Sequence, residues 1–387
     1  MELAPLTQPA TNLTREDKTR YARHFTLPGI GPDGQARLAN ARVLSIGAGG
    51  LGSPALLYLA AAGVGTLGII DDDTVDTSNL QRQIIHTNAA VGEPKTTSAA
   101  TTLTAHNPHI TIHTHTEKLT TDNATDIITA YDLVIDGSDN FATRYIVNDA
   151  CEATNTPLIW GTISQYTAQV SLFWAHPTLT DGTTTTGPTL RDLYPDIPPA
   201  DSIPTCAAAG VLGSLCGTIG SLIATEAIKL ITGTPHTLLG TLWMYDARTH
   251  HTTTLTITPD PTRTPTPLTT TAVEITAAHH TQTEEPLHEI SRETALNHPN
   301  DYYLIDVRQP EERATGHYPD QAHHPHNDLI HLITTGHTLT EIFPNLPADT
   351  TPLFYCASGI RSAKVVQQLA KTQPHQPAAT LTGGYTP

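Results

Sequence analysis

The sequence predicts two α/β domains, the larger built on a mostly parallel sheet. Three observations carry that prediction. The chain has 387 residues, more than the roughly 100–200 that one domain usually holds. Apolar runs of strand length alternate with helical patterns. A stretch rich in Thr, Pro and His, residues 257–285, divides the alternation into two series, 1–256 and 286–387, and has the composition of a tether.

The first series opens at Arg42 with Val-Leu-Ser-Ile, passes a glycine cluster into a helical pattern at 55–62, and returns as an apolar run at 66–70 ending in three aspartates. This is a Rossmann-like βαβ unit. Further runs at 133–135 and 157–160 end in Asp136-Gly-Ser-Asp139 and Gly161, and open parallel sheets bind ligands at such strand ends. Residues 211–231 are small and apolar and read as a buried helix. The second series has runs at 302–307 and 352–355 and an amphipathic helix at 363–370, which makes a smaller α/β domain.

Composition excludes several classes. With 37 acidic against 20 basic residues the net charge is −17, so nucleic acid and anionic membranes would be repelled. No run approaches the roughly 18 uninterrupted apolar residues of a membrane span. The N-terminus, with Glu2, Pro5, Pro9 and Asn12, lacks a signal-peptide pattern, and a cytoplasmic protein is expected. Cys151, Cys206, Cys216 and Cys356 form no C-x-x-C pair, so spacing gives neither a disulfide framework nor a four-cysteine zinc site.

Gly47-Ala-Gly49-Gly50-Leu-Gly52 satisfies G-x-G-x-x-G between a strand and a helix, where backbone N–H groups can approach phosphate. Asp71, at the end of the next strand, suits a ribose hydroxyl. To this point an NAD-dependent oxidoreductase is served equally well. Ser78-Asn79-Leu-Gln-Arg82-Gln83, then Lys95 and Asp139-Asn140, break the tie, because dinucleotide binding has no use for them. Arg82 and Lys95 can hold a triphosphate, Asn79 can bind phosphate or ribose, and Asp139 can carry Mg²⁺.

These segments, with Val91-Gly-Glu-Pro-Lys95, Asn107-Pro and Ile223-Ala-Thr-Glu-Ala-Ile-Lys229 in the same order, resemble the MoeB/ThiF family of ubiquitin-activating-type adenylyltransferases over roughly residues 15–250. The resemblance implies that Gly47, Gly49, Gly50, Gly52, Asp71, Asn79, Arg82, Gln83, Lys95, Asp139 and Asn140 bind ATP and Mg²⁺. It implies adenylation of the C-terminal carboxylate of a small ubiquitin-like carrier ending in Gly-Gly, whose side-chain-free tail threads a narrow site. It also implies a homodimer, in which Arg23, within Arg20-Tyr-Ala-Arg-His24, reaches the neighbouring triphosphate site.

Cys356-Ala-Ser-Gly-Ile-Arg361-Ser362 follows a strand and precedes a helix, a setting that favours thiolate. A persulfide fits such a cradle, with Arg361 attracting an anionic donor; a phosphatase cysteine also fits it. Leu304-Ile-Asp306-Val-Arg308 with Glu311, Gly316-His317 and Leu381-Thr-Gly-Gly384 resemble a rhodanese domain over roughly 286–387, with Asp306 and Arg308 bracing the fold. The polar Gln321-Ala-His-His-Pro-His326 departs from that family's usual apolar strand.

Many MoeB/ThiF relatives bind zinc through two C-x-x-C pairs. Here Thr189 and Asp192 stand where two of those cysteines would, so no zinc is expected. The chain is in this most similar to the MoeZ-type adenylyltransferase/sulfurtransferases. Cys206 matches the family's thiol near the crossover loop, able to capture acylated carrier or resolve a disulfide, with a buried packing role equally open; Cys151 and Cys216 read as packing. The implied sulfur donor is thiosulfate or a cysteine desulfurase persulfide. Adenylation alone with a docking second domain, and ubiquitin-type conjugation through Cys206, are the alternatives.

Overall fold

The computed structural model describes residues 2–10, 12–198, 210–280, 288–319, 322–357 and 359–385. The chain divides into two compact units, 1–281 and 282–387.

The first unit holds an eight-stranded sheet in the order β3-β2-β1-β4-β5-β6-β7-β8. Strands β1 (Arg42–Ile46), β2 (Thr66–Ile70), β3 (Thr111–His115), β4 (Leu133–Asp136) and β5 (Leu158–Ser164) run parallel. Strands β6 (Thr167–Phe173), β7 (Thr241–Asp246) and β8 (His251–Thr256) continue antiparallel. Side chains alternate across the sheet: Val43 enters one apolar core, Leu44 and Ile46 the other. The Gly213–Thr232 helix is long and apolar enough to cross a membrane by composition. Its Leu215, Ile219, Ile223, Ala227 and Leu230 are instead buried in the unit's own core, each large side chain contributing about 1.5–3 kcal/mol. Because β2 and β4 flank β1 on opposite sides, the chain reverses direction across the sheet at β1/β4, and a crevice opens beyond those strand ends.

Within the expected tether, the described residues 257–280 are docked on the first unit. Residues 268–280 form a helix (Leu268–His280) whose Leu268 and Ile275 pack on the second core. Thr271 Oγ1 donates to Asp149 at 2.6 Å, and Arg191 bridges Asp149 and Glu274 at 2.7 Å each. Arg263 holds Glu152 at 2.6 and 3.0 Å, and the Asp260 N–H donates to Asp192. A few spaced apolar and charged positions suffice to dock this segment, and an average over Thr and Pro hides them. Thr189 and Asp192 form a helix-capping box.

The second unit is a five-stranded parallel sheet in the order β11-β10-β12-β13-β9. Its strands are β9 (Glu289–Ile290), β10 (Tyr302–Asp306), β11 (Ala322–His323), β12 (Thr351–Tyr355) and β13 (Ala379–Leu381). Of the polar segment, the described residues 322–323 form the two-residue edge strand β11, where partial exposure tolerates His323, and His326 opens the helix His326–Thr334. The reversal lies between β10 and β12, and the Ile360–Thr372 helix follows β12.

Candidate functional site

In the first unit the chain leaves β1 through Gly47 at φ +87°, a backbone region cheap only for glycine. A Cβ on Gly52 would run into the Gly47 carbonyl oxygen, so Gly52 serves helix–strand packing and does not line the cleft. Gly47, Gly49, Gly50, Asp71, Arg82, Gln83, Lys95, Asp139 and Asn140 do. Asp71 clamps the glycine turn to the end of β2: its Oδ2 accepts the Ala48 N–H and its Oδ1 the Asp73 N–H, both at 2.9 Å. Burial pushes its carboxyl above the usual value, and Lys95 partly offsets this.

Lys95 is buried, and its Nζ donates to the exposed Asp73 at 2.7 Å. Arg82 Nη1 donates to the Ser78 carbonyl at 3.1 Å. Gln83 is buried, and its Oε1 has no hydrogen-bond partner among the described residues, as a group awaiting a ligand would. The carboxylates of Asp71, Asp72 and Asp73 lie within 4.8 Å of one another, and Asp139 lines the same cleft; these hard oxygen donors fit Mg²⁺ carried on a nucleotide.

Two predicted residues stand apart. Asn79 Oδ1 accepts the Asp76 N–H at 3.2 Å, closing a capping box, and the side chain does not line the cleft. Arg23 is exposed on the short helix Ala22–Phe25 and is absent from the wall of its own chain's cleft. Cys206 lies outside the described residues.

The structure adds residues that the sequence reading passed over. Cys216, read as packing, does pack, and it also reaches the cleft wall, where a Cβ on Gly50 would sit 3.0 Å from its sulfur. Arg144 also lines the cleft: its Nη2 donates to the Ser138 carbonyl at 2.9 Å and its guanidinium lies over Phe141 and Trp160. It thereby shapes the turn that carries Asp139. Only the helical offset from Asn140 could have signalled it.

In the second unit β12 delivers Cys356, which has no exposed surface. Ser362 Oγ donates to its sulfur at 3.7 Å and is itself held by Thr380. The Tyr385 N–H donates to the Cys356 carbonyl at 2.7 Å, and a Cβ on Gly384 would crowd that same carbonyl at 2.5 Å, which explains the late Gly-Gly pair. Arg308 and Asp306 brace the loop through a buried pair at 2.7 Å, with Arg308 Nη2 also donating to the Gly316 carbonyl. Arg361 donates from both terminal nitrogens to Glu312 at 2.6 Å. That carboxylate keeps the guanidinium firmly charged, with Cys356 a lesser contributor. The helical turn Pro310–Arg313 decides that the Glu312 carboxylate faces the loop, a pairing the sequence motif does not indicate.

Comparisons with known proteins match both units. The ThiF family profile matches residues 21–266 and the rhodanese-like domain profile residues 291–387. "Probable adenylyltransferase/sulfurtransferase MoeZ" of Mycobacterium tuberculosis is 44% identical, covering 99% of this chain and 95% of its own. "Adenylyltransferase and sulfurtransferase MOCS3" of Drosophila ananassae is 35% identical over 97% and 84%. "Sulfur carrier protein adenylyltransferase" of Thermus thermophilus is 47% identical over 60% and 85%. Among solved structures, that of the E. coli microcin C7 biosynthetic enzyme MccB with N-formylated MccA superposes with a TM-score of 0.55 at 22% identity, over 65% of this chain and 75% of the other, a likeness of fold. The glycine turn, the cation-lined crevice and the second unit's cysteine loop thus sit in a chain that belongs to the ThiF family and carries a rhodanese-like domain behind its ThiF domain.

Proposed function

We propose that this chain uses ATP to adenylate the C-terminal Gly-Gly carboxylate of a small ubiquitin-like sulfur carrier, then converts it to a thiocarboxylate with sulfur held on Cys356. The observation that carries this reading is one chain holding two sites: a crevice with Lys95, Arg82 and four aspartates beside a glycine turn, and a thiol at the start of a helix with Arg361 beside it. The names of the M. tuberculosis and T. thermophilus relatives support it.

The carrier carboxylate attacks the α-phosphorus and pyrophosphate leaves. Lys95 and Arg82 offset the charge that grows on the phosphates, Lys95 turning from Asp73 to do so. Asp139 and the 71–73 carboxylates would hold Mg²⁺, which would neutralise phosphate charge when bound. In a homodimer the neighbour's Arg23 adds a third cation. A Cys356 persulfide then attacks the acyl carbon and AMP leaves; a thiolate, with Cys206 the candidate, attacks the Cys356 sulfur of the acyl disulfide, forming a disulfide with Cys356 as the carrier thiocarboxylate leaves with the electron pair. The unit 1–281 carries adenylation and 282–387 sulfur transfer, in the cytoplasm.

The full burial of Cys356 favours one alternative, adenylation alone with the second unit as a docking module. The test is to incubate the chain with ATP, Mg²⁺, a carrier ending in Gly-Gly and a sulfur donor, following pyrophosphate and the carrier's intact mass. Replacement of one oxygen by sulfur, lost in Cys356→Ala while pyrophosphate release persists, is expected. Sulfur incorporation that survives Cys356→Ala would sink the sulfur-transfer half, and absence of pyrophosphate with several carriers the adenylation half.

A further inference from the structure

Against the glycine turn lies a buried imidazole that the steps above do not use. His86 is 5% exposed, sits three residues after Gln83, and does not line the cleft. It is bonded on both sides. Its Nε2 stands 3.0 Å from the Ala48 carbonyl oxygen, and its Nδ1 stands 2.9 Å from Ser98 Oγ. A carbonyl only accepts, so Nε2 carries the proton and donates to Ala48, and the Nδ1 of the neutral ring accepts from the Ser98 hydroxyl. Burial lowers the imidazole's pKa; the bond to Ala48 opposes that fall and Lys95 adds to it, and the net lowering keeps the ring uncharged at neutral pH.

The two partners belong to the two halves of the phosphate site. Ala48 is the middle residue of the glycine turn, and Ser98 lies one turn into the helix Lys95–His106, which Lys95 opens. Ala48 is gripped at both of its backbone groups: Asp71 accepts its N–H at 2.9 Å, and Ser53 Oγ joins His86 in donating to its carbonyl, at 3.2 Å. Thr102 Oγ1, further along the Lys95 helix, donates to the Ile85 carbonyl at 2.8 Å and ties the residue before His86 to the same element. In a planar trans peptide the C=O and the following N–H point in opposite directions. An Ala48 carbonyl held toward His86 therefore turns the Gly49 N–H away from it, on a residue that lines the cleft.

We propose that His86 is a positioning residue for adenylation, an inference that rests on the nucleotide site proposed above. The imidazole fixes the 48–49 peptide and its spacing from the Lys95 helix, so that the Gly49 N–H and Lys95 address one ATP together. A rigid ring with one donor and one acceptor on different edges meets both demands. A side chain offering only one of them strands a buried partner, the Ala48 carbonyl or the Ser98 hydroxyl.

The experiment follows pyrophosphate release by the full-length chain with Mg²⁺ and a carrier ending in Gly-Gly, varying ATP and carrier in turn. His86→Asn keeps an acceptor near the Nδ1 position and loses the donor to Ala48; it should raise the KM for ATP about tenfold and leave the KM for the carrier unchanged. His86→Gln, whose amide N–H reaches the Nε2 position, and Ser98→Ala both keep the Ala48 bond and should raise it only about threefold. A merely structural role would shrink the active fraction, lowering apparent kcat with both KM values unmoved. A KM for ATP that stays at the unmutated value in His86→Gln and Ser98→Ala overturns the proposal. So does one that rises no further in His86→Asn, or a KM for the carrier that rises in step. No pyrophosphate from the unmutated chain with several carriers overturns the adenylation reading and this inference with it.

Discussion

The nucleotide crevice and the cysteine loop occupy the same place in their respective sheets, beyond the strand ends where the chain reverses, yet they handle charge in opposite ways. In the crevice the polar groups are left wanting. Gln83 Oε1 and Ser138 Oγ have no partner among the described residues, Lys95 rests on an exposed carboxylate, and burial pushes Asp71 and Asp136 above the usual carboxylate range. Around Cys356 the guanidinium–carboxylate pairs are closed. Arg361 holds Glu312 below its ordinary value, and Asp306, which burial alone would raise, is held down by Arg308. A site for a nucleotide needs cations that can change partners and polar groups left free to meet its phosphates and hydroxyls. A site that handles a single sulfur atom needs a rigid frame.

The sharpest way to break this comparison is at Lys95. If it is the cation that changes partners, Lys95→Ala should cut carrier-dependent pyrophosphate release by about 10²–10³-fold and leave sulfur loading of Cys356 unchanged. A loss of less than about threefold would mean that Lys95 only supports Asp73.

The frame is tested at Asp306. Asp306→Ala strands a buried arginine, so the second unit should lose about 3–5 kcal/mol, read by hydrogen exchange resolved to each unit, with protection in the first unit unchanged. A cost under about 1 kcal/mol would mean that the pair behaves as a solvated one.

Mild acid gives the smallest effect and sharpens the contrast in sign. Asp306 and Glu312 are lowered from 3.8 and 4.5, so the stability they contribute is present above those values and is lost as pH falls through their folded values. Asp71 and Asp136 are raised from 3.8; their contribution is present below 3.8 and disappears as pH rises through the folded values. Lowering pH from neutral to about 4 and below should therefore weaken the second unit while these two crevice carboxylates oppose loss in the first. Exchange protection that falls equally in both units would contradict the assignment.

Much of the crevice could be read along the chain because its parts are local. A G-x-G-x-x-G turn, an aspartate closing the next strand, and Arg82 and Lys95 at fixed spacings all follow from what a short segment must do. Asn79 has a chemistry that suits both a ligand and a turn, and that its Oδ1 accepts the Asp76 N–H, three residues away, could not be read from the motif. Residues 257–285 read as a tether because Thr and Pro dominate their composition, whereas docking depended on Arg263, Thr271 and Glu274 finding Glu152, Asp149 and Arg191 more than 80 residues away.

By itself the sequence determined the two α/β units, the glycine turn after the first strand and the cysteine at the head of a helix, since backbone freedom, periodicity and motif spacing are properties of neighbouring residues. Only the tertiary structure decided that Glu312 grips Arg361, that Cys216 comes to rest against Gly50, and that residues 257–280 are anchored. Each of these depends on which faces of distant elements are brought within a few ångströms, and a hydrogen bond or an ion pair exists only at that range.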